Sequence, residues 1–163
     1  MRLSPAGVHL IASFEGFVPH PYNDSVGNAT IGYGHLIHLG PATAEDRAQW
    51  SHATPQSLLA LLASDCEGFS RAVSADVRVR LGVIPARAQA RFDALVSLCF
   101  NIGTGAFGSS HVLELVNAKG APRNWSPVGT AMLAWDYAGG HVVPGLLARR
   151  TREARIFVTG KYS

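Results

Sequence analysis

The chain has 163 residues, 47% of them apolar and 15% charged, and a net charge of +3. That length fits one domain, or two lobes sharing a spine, and the apolar content is enough for a real core. Disorder, internal repeats and membrane spans are excluded: the longest apolar runs, LLALLA and ALVSLCF, fall well short of the roughly 20 residues a spanning helix needs.

The first sixteen residues, MRLSPAGVHLIASFEG, carry one arginine and a short apolar segment interrupted by proline and histidine. This is a helix pattern, not a signal peptide. Ser4 is a cap with Pro5 at the first helical position, and Leu10, Phe14 and Phe17 recur at helical spacing, so the first helix is expected to end near Glu15, beside the stop at Gly16. From Tyr22 to Ile37, β-branched residues and glycines around a turn at SVGN predict a hairpin or three-stranded sheet, with Pro19 and Pro21 breaking the chain before it. Thr43 opens a short helix, AEDRAQW, and Thr54-Pro55 opens a longer one with Leu58, Leu61, Leu62 and Cys66 on one face, a candidate spine between lobes.

Pro85 precedes ARAQARFDALVSLCFNIG, where Phe92, Leu95, Val96, Cys99 and Gly103 keep the spacing of a core helix. Ser109 and Ser110 cap HVLELVNAKG. A tryptophan-bearing helix is expected from Ala131 to Tyr137, then a loop, AGGHVVPG, and a final helix from about Leu146 to Val158. Strands early and helices afterwards predict an α+β fold with its sheet confined to a small N-terminal lobe.

Cys66 and Cys99 lie in apolar helical contexts and are expected to be reduced packing residues, with a disulfide between them as the alternative. Charge is uneven. Residues 1–64 hold Arg2 and Arg47 against Glu15, Asp24, Glu45 and Asp46, for −2, and the remainder holds twelve basic against seven acidic residues, for +5. The basic residues are scattered through helices, which argues against a nucleic-acid partner and for a solvated surface.

The stretch EGFVPHPYNDSVGNATIGYGH, from Glu15 to His35, carries the chemistry. Glu15 falls near a helix C-terminus, where unpaired carbonyls disfavour a second negative charge, and Phe14 and Phe17 are expected to withhold water. Both effects favour a protonated acid, which is what a departing oxygen requires. Asp24 lies in a polar turn beside Asn23 and Ser25, where solvent and hydrogen bonds keep it ionised. Such a split lets two acids take different roles, although a glutamate at a helix end is most often simply solvated. Thr30 offers a hydroxyl that both donates and accepts, so a water between it and Asp24 would be aligned for attack; packing in a strand is its other reading.

The string E-G-F…Y-N-D…T-I-G-Y-G-H resembles the phage endolysin lysozymes, glycoside hydrolase family 24, marked by a glutamate, an acid nine positions later and a threonine six beyond that. Glu15, Asp24 and Thr30 meet all three positions, and FDALVSLCFNIGTGAF, AWDYAGG and PGLLARRTREARIF extend the likeness over nearly the whole chain. The resemblance implies one lysozyme-like α+β catalytic domain over residues 1–163. Its parts would be a small N-terminal lobe (about 15–60) with a short antiparallel sheet and a larger all-helical C-terminal lobe (about 65–163) on which helix 1 packs, joined by a long helix.

It further implies hydrolysis of the β-1,4 bond between N-acetylmuramic acid and N-acetylglucosamine in peptidoglycan, for host cell lysis, without metal or cofactor. Glu15 becomes the general acid, and Asp24 the base or electrostatic partner working with Thr30. Carboxyls roughly 6.5–9.5 Å apart leave room for a water and predict inversion. By position, Leu36, Phe100, Asn101 and Ser110 look like the family's sugar-contacting residues, although Leu36 and Phe100 also fit a core and Ser110 a helix cap. Arg149 or Arg150 looks like the family's arginine that approaches the acid across the cleft. A monomer acting on glycan strands, without stable membrane insertion, is expected. No wall-binding module follows, which suggests a thin-walled host or a domain cut from a longer chain; no N-terminal anchor precedes, which suggests accumulation in the host cytoplasm and release through a holin-type pore.

Two rivals remain. Seven histidines and the pair His35-Leu-Ile-His38 prompt a zinc amidase, but residues three apart on a strand face opposite sides, and no second ligand cluster stands at metal spacing. His35 then reads as a hydrogen-bonding residue behind the sheet. An inactive binding module of the same fold is the third reading, weakened by the presence of Glu15, Asp24 and Thr30 together.

Overall fold

The structure is a computed structural model that describes residues 1–118 and 124–162. The chain divides into two compact units, one of Val8–Cys66 and one of Met1–Gly7 with Glu67–Ser163.

Helix α1 (Pro5–Ala12) enters the first unit at Val8 and is followed there by β1 (Val18–Asn23), β2 (Ala29–Gly32) and β3 (His35–His38), an antiparallel sheet in that order, then by α2 (Ala44–Gln49) and α3 (Pro55–Asp65). The middle strand β2 is buried along its whole length, with Ala29 and Ile31 in the core. Gly32 has φ +67°, and a Cβ there would meet the Leu58 side chain at 3.3 Å, so this glycine lets α3 lie on the sheet. Both helices start on capping boxes. Thr43 accepts from the Asp46 amide while Asp46 accepts from the Thr43 amide, and Thr54 and Ser57 repeat the exchange.

Two expectations are corrected here. The first helix ends at Ala12, and a turn carries the chain through Phe14 to Glu15, whose amide still donates to the Ile11 carbonyl at 3.3 Å. Phe17 lies beyond it, 41% exposed, against Tyr33 at a ring distance of 4.9 Å. The apparent helical spacing of Phe17 was a strand-entry contact. Pro19 and Pro21 do not break the chain before the sheet but lie inside β1, which tolerates them because it is an edge strand with a register shift between Val18 and Tyr22.

The helix that opens at Thr54 continues, after one interruption at Cys66, as α4 (Glu67–Asp76), and the boundary between units falls at that interruption. In the second unit α5 (Pro85–Ile102) is the core element, buried without a break from Ala90 to Cys99. It is followed by α6 (Thr104–Gly108), α7 (His111–Val116), α8 (Ser126–Leu133), a two-stranded hairpin of β4 (Tyr137–Ala138) and β5 (His141–Val142), and α9 (Pro144–Thr159). The tryptophan-bearing helix thus starts and stops earlier than expected, since Ser126-Pro127 is its start signal, and Trp135 follows its end. The expected loop AGGHVVPG contains a second small sheet, because Gly139 and Gly140 supply the two positive φ values of a tight hairpin turn. The sheet is therefore not confined to the N-terminal part. Lys119 and Gly120, expected at the end of HVLELVNAKG, lie outside the described residues. Cys66 and Cys99 are both buried and are not joined by a disulfide, and burial pushes the Cys99 thiol up to about 11.

Two buried polar groups on α5 tie this unit together. Arg91 donates from Nε to Phe157 O at 2.9 Å, from Nη1 to Leu81 O at 2.9 Å and from Nη2 to Val158 O at 3.3 Å, so it caps the carbonyl end of α9 while stacking on Trp125. Asp93 accepts from the amide and hydroxyl of Ser4, from Gln89 and from Tyr162, joining both chain ends to α5. Gly7 faces this carboxylate so closely that a Cβ would meet Asp93 Cγ at 2.7 Å.

Arg91→Leu is expected to remove about 2–4 kcal/mol of unfolding free energy by orphaning the three carbonyls, as read from denaturant titration. A loss below about 0.5 kcal/mol, the range of an ordinary surface substitution, would sink the capping role. A second expectation concerns pH. His38 Nδ1 faces Leu39 O at 3.0 Å and Nε2 faces Asp46 Oδ2 at 2.9 Å, so both nitrogens meet acceptors, the geometry of an imidazolium. The Leu39 carbonyl and Asp46 raise His38 above its ordinary 6.5, and the Thr43 amide with His38 lowers Asp46 to about 2. The histidine's contribution is complete below 6.5 and is lost as pH rises through its raised value; the aspartate's is complete above 3.8 and is lost as pH falls through about 2. The stability gap between wild type and His38→Gln should therefore be widest between about pH 4 and 6.5 and shrink above it. A gap unchanged from about pH 5 to 9 would contradict the ion pair.

Candidate active site

Three of the expected functional residues share the sheet-bearing unit with Leu36. Glu15 follows the last turn of α1, half-buried. Asp24 begins the turn between β1 and β2, held by a local device: its Oδ1 accepts the amides of Val26 and Asn28, each at 2.9 Å, while its own amide donates to Asn28 O at 2.9 Å. An aspartate that bonds back to the amides two and four residues on is a self-made turn, and it fixes the carboxylate in place. Among the described residues nothing bonds its Oδ2. Gly27, at φ +88°, allows the reversal.

Thr30 is the second residue of β2, 3% exposed, and its hydroxyl donates to Asn28 O at 3.2 Å. Asp24 and Thr30 are therefore tied to the same peptide group. Leu36 pairs with Thr30 across the β2–β3 ladder and is 47% exposed, so its reading as a core residue fails.

The other expected residues belong to the second unit. Phe100, near the end of α5, is half-buried, with its ring 5.2 Å from Phe69 and the Arg149 guanidinium 6.0 Å from its centroid. Asn101 is exposed beside it. Ser110 is the N-cap of α7: its Oγ accepts from the Leu113 amide at 3.1 Å and donates to Phe107 O at 2.7 Å, which leaves one lone pair for anything else. Arg149 and Arg150 both engage Glu153. Arg149 Nε donates to Oε1 at 3.1 Å, Arg150 Nη2 donates to Oε1 at 3.2 Å, and Arg150 Nε lies 2.8 Å from Oε2, close enough for a charge pair though out of line for a hydrogen bond. Ser97 adds its hydroxyl to Oε1, and Arg149 Nη2 donates to Ser97 O. Burial pushes the Glu153 carboxyl up, and Arg150, Ser97 and Arg149 oppose it.

His35 and His38 are directed to different carboxylates. His35 Nδ1 contacts both oxygens of Asp65 at 2.9 and 3.0 Å, and His38 contacts Asp46. Among the described residues no group of three or more histidine, cysteine or acidic side chains could hold a metal ion, and no helix is long and apolar enough to cross a membrane.

Sequence reasoning missed Asn28 and Glu153. The spacing R-R-x-x-E on α9 places Glu153 three and four residues from the two arginines and announces an ion pair, but not its burial. Nothing in the sequence announces Asn28, whose part is played largely by its backbone.

The sequence model of the phage lysozyme family matches residues 12–153. The endolysin of Salmonella phage P22 is 36% identical over 160 residues, covering 98% of this chain and 99% of that one. The endolysin of Bacillus phage B103 is 34% identical over 166 residues, covering 99% of this chain but 56% of its own length; the chain thus spans about half of that relative. A SAR-endolysin of Enterobacteria phage P21 is 31% identical over 150 residues, 90% of this chain and 79% of that one. Among solved structures, the endolysin of Escherichia coli O157:H7 phage FAHEc1 superimposes with a TM-score of 0.78 at 32% identity, covering 100% of this chain and 97% of the other. This confirms the α+β, lysozyme-like fold expected from the sequence. Since the family model takes in residues 12–153 and the P22 relative is similar over nearly the whole chain, the chain belongs to the phage lysozyme family.

Proposed function

We propose that the chain is an endolysin that hydrolyses the β-1,4 bond between N-acetylmuramic acid and N-acetylglucosamine in peptidoglycan with inversion, residues 1–163 working as one catalytic domain. The observation that carries this reading is the state of Asp24. One oxygen is pinned by the amides of Val26 and Asn28, the other has no partner among the described residues, and the Thr30 hydroxyl donates to the carbonyl of the same Asn28. That is a base with its orientation fixed and one face left for a water.

In the proposed reaction Glu15 gives its proton to the leaving sugar oxygen as the glycosidic bond breaks. A water attacks the anomeric carbon from the opposite face, and Asp24 Oδ2 takes the proton it releases. Thr30 orients that water. Leu36, Phe100 and Asn101 meet the sugars, their exposed or half-exposed apolar and amide surfaces suiting pyranose faces and acetamido groups. Ser110, with most of its hydrogen bonding spent as a cap, contributes less. The resemblance gives the family's cleft arginine to Arg149 or Arg150, both of which are buried and paired with Glu153.

The protein acts as a monomer on glycan strands, without nucleic acid or stable membrane insertion. It reaches the wall from the host cytoplasm through a holin-type pore; a relative that is a SAR-endolysin makes a second route the alternative to test. Holin-deficient host cells that still lyse on expression of the chain would exclude the pore route.

Glu15→Gln should lower turbidity loss of wall suspensions by about a hundredfold or more with an unchanged thermal midpoint, since it removes the proton and keeps the size. Activity within about tenfold of wild type would remove Glu15 from the role of acid. Mass analysis of the wild-type products separates the chemistries. Reducing muramic ends, appearing first as the inverted anomer in NMR, are expected; anhydro ends would indicate transglycosylation and free peptides an amidase.

A further inference from the structure

Asn28 sits between the proposed base and the proposed water-orienting residue, and four hydrogen bonds converge on it. Its amide donates to Asp24 Oδ1 at 2.9 Å. Its carbonyl accepts from the Asp24 amide at 2.9 Å and from the Thr30 hydroxyl at 3.2 Å. Its side-chain oxygen accepts from the Gly40 amide at 3.0 Å, and next to it the Ala29 amide donates to Gly40 O at 2.7 Å.

A carbonyl oxygen has two lone pairs, and here both are taken. Because the Asn28 side chain satisfies Gly40, the backbone carbonyl is left for Asp24 and Thr30. The consequence falls on Thr30. A hydroxyl has one proton, and this one is committed to Asn28 O, so what Thr30 presents to anything else is a lone pair. Its burial, at 3% exposure, limits a new partner there to something the size of water. A water donating one hydrogen to Thr30 Oγ1 and the other to Asp24 Oδ2 directs its own lone pair away from both, as a nucleophile must. Were the hydroxyl free to rotate, it would donate to that water and compete for the lone pair that attacks.

We propose that Asn28 is a positioning residue for the hydrolysis: its side-chain bond to Gly40 holds the turn so that its carbonyl fixes the Thr30 hydroxyl as an acceptor and its amide pins Asp24. Asn28 touches neither water nor sugar and acts through Thr30 and Asp24. This rests on the reading of Glu15, Asp24 and Thr30 given above.

The test is a double-mutant cycle with wall fragments as substrate. Asn28→Ala should lower kcat about ten- to a hundredfold, the usual cost of misplacing a reacting group, with KM within about twofold of wild type. Asn28→Asp, which keeps an acceptor at the same reach from Gly40, should restore most of the loss. In a Thr30→Val background, where no hydroxyl is left to orient, Asn28→Ala should cost clearly less than in wild type. If Asn28→Ala does not fold, Asn28→Gln, which moves the amide oxygen one carbon further, carries the same expectations. An unchanged kcat, a loss confined to KM, or the same fractional loss with and without the Thr30 hydroxyl would overturn the proposal. Glu15→Gln in parallel separates the two layers: if it is inactive while Asn28→Ala behaves as wild type, the positioning role alone fails, whereas an active Glu15→Gln removes the reading beneath it.

Discussion

A carboxylate that leaves water must find donors, and the way each acid of this chain finds them organises the structure. Asp93, fully buried, engages both oxygens with Ser4, Gln89 and Tyr162 and so binds the two chain ends to α5. Glu153, also fully buried, is surrounded by Arg149, Arg150 and Ser97 and locks α9 onto α5. Asp24 solves the same problem differently: it draws both donors from its own turn and spends one oxygen on them. A buried acid whose oxygens are taken by hydrogen bonds, as in Asp93, or by hydrogen bonds on one oxygen and a charge pair on the other, as in Glu153, is structural, since taking up a proton or a ligand would first require breaking those contacts. An acid satisfied on one side only is held rigid and left with capacity to accept.

This distinction separates what was legible in the sequence from what was not. Glu15, Asp24 and Thr30 stood out because their spacing is local and survives in a string of letters. Helix starts were equally plain, since Thr43, Thr54 and Ser110 each precede a run they cap. Contacts between residues distant in sequence left no such trace. Nothing in the string pairs Asp93 with Ser4, 89 positions away, or Arg91 with the carbonyls at the end of α9. Asn28 was illegible for another reason: backbone amides and carbonyls look the same in every residue, and only the turn's conformation reveals which of them face Asp24 and Thr30.

Where the sequence misled, a tertiary feature had overridden a local signal. Phe17 continued an apolar period that the helix itself did not follow, because the chain turns at Ser13 to enter the sheet and the ring pairs with Tyr33 instead. Gly139-Gly140 read as a loop because two glycines also serve as a hairpin turn only if short flanking strands pair, and two residues on each side suffice here. Pro19 and Pro21 read as breakers because proline cannot serve a central strand, and the letters do not say which strand is at the edge.

The edges of the small sheet also bear on how a ligand meets it. An exposed strand edge invites another strand to add, through its unpaired amides and carbonyls. On β1 two of the six residues are prolines, which have no amide proton to offer, and the register shift between Val18 and Tyr22 bends the strand further from a pairing geometry. On the other side, the ends of β3 are pinned by histidine–aspartate pairs, His35 to Asp65 at the end of α3 and His38 to Asp46 in α2. The prolines and the register shift of β1 work against the addition of a further strand on that side. In the proposed function, recognition falls to the turn and to side chains of the strands, Asp24, Thr30 and the exposed Leu36. A turn that presents a fixed carboxylate beside an edge strand poor in amide donors suits the glycan of the proposed function, which has hydroxyls and ring faces to present but no backbone to pair.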